Sequence, residues 1–191
     1  MKRFTLVTGI LALAAPLALA QTSTWVNAPN HSEVDFTITH LAISNVHGRF
    51  GHVAATLNYN EADITKSTVT ATIDLVSLST GEDARNNHLK SPDFFDVATY
   101  PSATFTSTSV AKSGDTLTIN GNLNVHGVTK PVVLTAEGPR GPAPGMDKKQ
   151  HAGFSASTTI KRSDFGIGPK FPATMVGDEV KLNIELDVAK Q

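Results

Sequence analysis

Three histidines, His40, His47 and His52, fall within thirteen residues, and three imidazoles in one stretch are the raw material of a divalent-metal site. Zinc ligands carried on one element usually take helical i, i+4 spacing or tight knuckle spacing, whereas these straddle a strand end, a turn at Gly48 and the next strand. The spacing favours His40 as a strand-end residue near the core and the others as surface or turn groups, so no metal is expected. His31-Ser32-Glu33 and Arg162-Ser163-Asp164 hold the residue types of a hydrolase. No G-x-S-x-G elbow accompanies them, and short clusters of Ser, His and Asp arise freely in polar sequence, so no catalytic residue is assigned. The last constellation is Arg85 with His88, followed by Asp93-Phe94-Phe95-Asp96. It reads either as a polar cluster at a cavity mouth or as an ion pair from Arg85 to Asp93 or Asp96. The ion pair, which would fix a helix while Phe94 and Phe95 plug a barrel end, is the favoured reading.

Composition narrows the chemistry further. The 191 residues include no cysteine, which removes disulfides, thiolate metal sites, iron–sulfur clusters, covalent haem and cysteine nucleophiles. A formal net charge of −1 with 17% charged residues offers no basic field to hold nucleic acid. A hydrophobic content of 40% suffices for one core. Residues 1–20 read as a secretory signal peptide, with Lys2 and Arg3 as the positive start, Phe4 to Leu19 as the apolar stretch and Ala18-Leu19-Ala20 as the cleavage signal. Export with cleavage near Ala20 leaves one domain at 21–191. No stable membrane anchor is expected, because Pro16 interrupts a segment already short for a span and no other stretch approaches ~20 apolar residues.

The elements that must position any site show a period of two. Val34, Phe36 and Ile38 alternate with polar residues, as do Val180, Leu182, Ile184, Leu186 and Val188. The same alternation recurs at Val53 to Tyr59, Val69 to Leu75, Leu117 to Val125 and Phe154 to Ile160, with shorter runs at 24–28, 103–110 and 131–137. Strands with one dry face indicate an antiparallel sheet, and the expected fold is an all-β antiparallel barrel of about eight strands with one or two short helices. One helix is expected over about 80–91, opened by a Ser79-Thr80-Gly81-Glu82 capping box and stopped by Pro92. A second is expected over 41–45. Gly138 to about Gln150, beginning GPRGPAPG, is expected to be a long mobile hairpin loop at one rim, serving as a connection more than as a lid.

Several motifs together carry a resemblance. HSEVDF at 31–36, HLAISNVHGRF at 40–50, DARNNHL at 83–89, SPDFFD at 91–96, Tyr100-Pro101, Thr104-Phe105, Gly121-Asn122-Leu123, HGVT at 126–129, Gly153-Phe154 and RSDFGI at 162–167 occur in order. The chain resembles the YceI-like polyisoprenoid-binding family across nearly its whole length after residue 20. Gly51-His52, where family members often carry larger residues, and the long segment after Gly138 are its departures. The resemblance implies an exported, usually periplasmic bacterial protein, a lipocalin-like barrel and an elongated apolar interior for a polyprenyl or quinone-type isoprenoid lipid, with no other cofactor.

On that basis the interior candidates for lipid contact are Val34, Phe36, Ile38 and His40 on one strand and Val69, Ala71, Ile73 and Leu75 on another. Phe94, Phe95 and Phe105 join them, with Leu117, Ile119, Leu123, Phe154, Ile160, Leu182 and Ile184 from the later strands. Arg49, Arg85 and His88 are candidates for a headgroup or mouth position. Non-catalytic binding, storage or transport of the lipid in the periplasm is the leading functional expectation. An enzyme acting on an isoprenoid or small apolar compound and a stress-response interaction module stand as alternatives. Edge strands or apolar rim residues leave a homodimer open.

Overall fold

A computed structural model describes residues 22–191; the signal peptide expected at 1–20 lies outside the described residues. The chain runs β1 (Thr22–Asn27), β2 (Glu33–His40), β3 (Ser44–Phe50), β4 (Val53–Asn60), β5 (Thr68–Asp74), β6 (Leu78–Ser79), α1 (Asp83–Lys90), β7 (Ser102–Ser113), β8 (Thr116–Val125), β9 (Val128–Pro144), β10 (Gln150–Lys161) and β11 (Val176–Lys190). All ladders are antiparallel.

The first six segments make three broken staves. β1 and β2 both lie along β11, at Trp25↔Lys190 and Asn27↔Val188 for β1 and at Val34↔Ile184 and Phe36↔Leu182 for β2. A single 3₁₀ turn at Pro29–His31 interrupts them. β3 and β4 then pair with β2 and β1, and β5 and β6 pair with β4 and β3. With β7 to β11 the ring has eight staves and closes: an antiparallel all-β barrel, as the alternation led one to expect, in the lipocalin-like form that the resemblance implies. At the β1–β2 break the buried Asn27 amide replaces ladder bonds, its Nδ2 donating to the Val53 carbonyl at 2.7 Å and its Oδ1 accepting from Ala55 N–H at 2.7 Å. A buried backbone group left unpaired there would cost about as much as a lost hydrogen bond.

Three local expectations need correction. No helix covers 41–45: residues 41–43 turn and β3 follows, with Val46, Gly48 and Phe50 on its inner positions. Gly48 is therefore strand, not turn, and it breaks the apolar alternation because the Phe36 ring from β2 lies where its side chain would be. Helix α1 starts at Asp83, since Ser79 is held in β6 opposite Arg49 and the Glu82 carboxylate caps the helix by accepting from Ala84 N–H at 3.3 Å. The 138–150 segment is mostly ladder, with β9 reaching Pro144 and only 145–149 turning. β8 ends at the Thr116↔Glu137 pair, so beyond it β9 has one free edge on which prolines withhold no ladder bond. Bulges flank Gly153 on the other side, and Gly138 and Gly141 meet them at φ 131° and 105°.

The main core gathers Val34, Phe36, Phe50, Ile73, Leu75, Phe94 and Phe165 toward the α1 end, and a smaller cluster of Trp25, Ala152 and Val188 closes the far end. Trp25 meets Tyr59 edge-on at 6.5 Å and donates from Nε1 to Ser23 Oγ at 2.8 Å. Among the described residues no helix is long and apolar enough to cross a membrane.

Candidate functional site

The barrel axis carries cavities in series. The largest, about 540 Å³, opens toward α1 and is walled by Phe36, Ile38, Phe50, Leu75, Phe95, Ile160 and Val180 among others. A narrower one of about 140 Å³ lies deeper, between Leu57, Val69, Ala71, Phe105, Leu117, Ile119 and Ile184. Val34, Ile73, Leu123 and Leu182 form walls of both, a waist between two chambers. Leu57 and Phe154 in turn separate the inner chamber from a far-end groove of about 360 Å³ under Pro139 and Pro142.

The packing shows why this space exists. In a filled barrel inward aliphatic side chains are wholly buried. Here Leu123, Ile160, Leu182 and Ile184 face inward yet are only half-buried, because they border the cavity instead of another side chain. Small inward residues contribute: Ala55, Ala71 and Ala156 line the inner chamber and Ala103 the outer. The outer chamber's polar groups are confined to Thr39, His40, Arg85, His88 and Arg162.

Arg162, 6% exposed, is the least expected of these. Its five N–H groups reach five backbone carbonyls, with Nε donating to Gly177 at 3.0 Å, Nη1 to Ile167 and Gly168 at 2.9 and 2.8 Å, and Nη2 to Phe171 and Val176 at 2.6 and 2.9 Å. Every guanidinium donor is satisfied, and the segment before β11 is drawn over the mouth. Phe171 of that segment stacks on Phe94 at 4.7 Å, and His88 stands edge-on to both rings at 5.8 and 5.1 Å. Lys170 Nζ clamps the same segment to Asp93 Oδ1 at 2.7 Å, with His88 Nε2 at 3.5 Å from the other oxygen. The Lys170 ammonium, by hydrogen bond and charge, holds the Asp93 carboxyl below the usual 3.8.

The interior candidates converge on this axis. Phe36, Ile38, His40, Leu75, Phe94, Phe95 and Ile160 line the outer chamber, and Val69, Ala71, Phe105, Leu117, Ile119, Phe154 and Ile184 the inner one. Val34, Ile73, Leu123 and Leu182 complete them at the waist. Arg85 and His88 stand at the mouth, but Arg85 does not pair with Asp93 or Asp96; its Nε and Nη2 donate to Thr80 Oγ1 and the Thr80 carbonyl at 2.8 and 2.9 Å. His40 is an exposed rim residue and not a core one. Arg49 is misplaced by the sequence reading: it points outward to Glu33 Oε2 at 3.0 Å and Asp35 Oδ1 at 3.7 Å, away from both chambers. Its odd-numbered position opposite Asp35 puts it on the outer face of β3. His47 and His52 turn to Thr37 and Asp74 respectively, and among the described residues no three His, Asp or Glu side chains are grouped to hold a metal. Sequence reasoning missed Arg162, Phe171 and Met175, which a loop brings to the mouth; only the RSDF motif marked that region.

The fold and site define a class, the antiparallel barrel with an elongated apolar interior opening beside a short helix. The YceI-like domain profile matches residues 25–188, and the chain belongs to that family. It is 41% identical to protein YceI of Salmonella newport over 163 residues, covering 84% of this chain and 83% of the relative, with the same figures for protein YceI of Escherichia coli O6:H1. Among solved structures it resembles Burkholderia cenocepacia BcnA (TM-score 0.75, 25% identity, 84% of this chain and 98% of that one). It also resembles the Campylobacter jejuni YCEI protein (TM-score 0.71, 30% identity, 100% and 99%). A polyisoprenoid binding domain from Saccharophagus degradans implicated in plant cell wall breakdown shares the fold (TM-score 0.65, 18% identity, 90% and 100%).

Proposed function

We propose that this protein binds a long isoprenoid lipid, without turning it over, and stores or carries it across the periplasm after export directed by residues 1–20. One observation carries the reading: half-buried aliphatic side chains surround a cavity of about 540 Å³ that narrows into a second chamber along the barrel axis. Cavities of about 300–1,000 Å³ suit a single organic ligand, and an elongated apolar one suits a chain. The fold shared with the polyisoprenoid binding domain of Saccharophagus degradans supports the choice of isoprenoid. At about 0.8 kcal/mol per buried carbon, each five-carbon unit contributes roughly 3–4 kcal/mol, so three or four units nominally reach the ~12 kcal/mol of nanomolar binding before ordering costs. A headgroup would stay near Arg85 and His88 at the mouth.

Mass spectrometry of solvent extracts from the exported protein, purified from cells without detergent, tests this. A polyprenyl or isoprenoid-quinone ion is expected, and it disappears in Ile73→Asp material whose circular dichroism remains that of a folded barrel. Recovery of acyl lipids alone, or of isoprenoid undiminished in the variant, would refute the assignment.

A further inference from the structure

The β2–β3 turn is unlike the other tight hairpin turn at the α1 end. Ile43 N–H donates to the His40 carbonyl at 3.1 Å, closing a turn whose central residues, Leu41 and Ala42, have φ of 51° and 57°. Two successive positive φ values define a turn that Asn-Gly fills with least strain. The β8–β9 turn uses His126-Gly127 for it, at φ 53° and 74°. The β2–β3 turn instead accepts the left-handed conformation with side chains that cannot relieve it, and displays them: Leu41 is 46% and Ile43 83% exposed. Beside them Met175 is 44% exposed, and its carbonyl accepts the Leu41 N–H at 2.9 Å. Met175 also lines the outer chamber. The apolar patch is thus continuous with the cavity mouth, whereas scattered surface apolar residues have no such relation to a site.

From this continuity we infer that Leu41, Ile43 and Met175 form a lip that seats the mouth on a lipid bilayer, so that an apolar chain passes between membrane and cavity without crossing water. The occupant follows from the ligand chemistry, and the inference rests in that respect on the lipid-binding reading: the reservoir of a long apolar chain is a bilayer. Leu and Ile projecting from a turn can enter the boundary between headgroups and acyl chains, and such insertion depends on apolar contact more than on charge.

Flotation of the purified, exported protein with unilamellar vesicles of phosphatidylethanolamine and phosphatidylglycerol, free of isoprenoid, tests the lip. The native protein should float with the vesicles in low and high salt. Leu41→Asp with Ile43→Asp should lower the bound fraction at least tenfold at an unchanged melting temperature, since both side chains are exposed. Emission of Ile43→Trp should move to the blue on vesicles. Equal flotation of native and double-Asp proteins, no flotation of the native protein with unshifted Ile43→Trp emission, or an Ile43-dependent dimer in size exclusion without vesicle binding would each overturn the inference. Co-purified isoprenoid with no docking removes the lip alone; Ile43-dependent docking with no isoprenoid leaves the lip standing and removes the lipid reading.

Discussion

The outer chamber, about 540 Å³, and the inner one, about 140 Å³, share a barrel and four wall residues yet are built differently. The inner chamber is bounded by regular ladder, with inward side chains from β4, β5, β7 to β11 meeting across a narrow gap. The outer chamber is bounded on one side by the β2 and β3 halves of the broken staves and on another by α1 and the Arg162-stitched segment, whose non-ladder backbone does not fill the space that a regular strand's side chains would. Regular alternation therefore makes a narrow slot whose width side-chain size sets, while non-ladder structure makes a wide vestibule whose shape a few polar anchors set. In the proposed function the slot grips chain length and the vestibule controls entry.

The sharpest way to separate the two is to close the waist. Leu123→Trp, at a half-buried wall of both chambers, should exclude the chain from the slot and weaken a long polyprenyl ligand by roughly 3–4 kcal/mol per displaced five-carbon unit. Binding of a one-unit prenol should change little. Fluorescence titration with ligands of graded length checks this, and equal losses at every length would dissolve the distinction between chambers. Next in size is Arg162→Ala, which removes the guanidinium donors from the carbonyls of 167, 168, 171, 176 and 177, of which Gly168 keeps only the Phe171 N–H at 3.1 Å. A loss of about 3 kcal/mol or more in denaturant unfolding is expected, together with faster ligand exchange. Unaltered exchange at lowered stability would mean that the segment is not what governs the vestibule.

Glycine replacements probe the same contrast more gently. An added Cβ at Gly48 meets side chains first, Phe36 and Thr80, whereas one at Gly121 meets Phe105 and also the Thr106 carbonyl oxygen at 2.7 Å. Overpacking costs about 1–3 kcal/mol. Gly48→Ala should fall at the low end, because Phe36 can move into the roomy vestibule, and Gly121→Ala at the high end; thermal melts in the reverse order would contradict the packing argument.

The smallest effects concern pH, and they run in opposite directions at the two ends. At the far end His151 lies between Asp187, 2.6 Å from Nδ1, and Asp147, 3.0 Å from Nε2. Hydrogen bonds to Asp187 and then Asp147 raise the imidazole above its ordinary 6.5. The folded state thus holds the extra proton more tightly, and the stabilisation is complete below 6.5 and lost as pH rises through the raised value. At the mouth the lowered Asp93 gives the reverse: its stabilisation is present above 3.8 and lost as pH falls through the depressed value. Protection of the β9–β10 turn amides, taken relative to their intrinsic exchange rates at each pH, should therefore fall on the alkaline side, an effect His151→Gln removes, and that of the 166–175 segment on the acid side, an effect Asp93→Asn removes.

Alternation by itself determined the antiparallel strands and which residues share their dry face, because in a strand the side-chain direction follows from position parity alone; that this face lines a cavity came with the resemblance. Val34, Phe36, Ile73, Leu123 and Leu182 could be assigned inward without coordinates for that reason. The ordered motifs carried the family. Tertiary structure decided the rest, where parity fails. Gly48 hid β3, since its inner position is filled by Phe36 from the neighbouring strand. The prolines after Gly138 looked like a loop, since whether a missing N–H matters depends on which edge of β9 has a partner. Arg49 read as a mouth candidate until its register opposite Asp35 was known. Arg162, whose five bonds reach up to fifteen residues along the chain, showed no periodicity at all, because a guanidinium satisfied by carbonyls leaves no trace in the identity of the residues that accept from it.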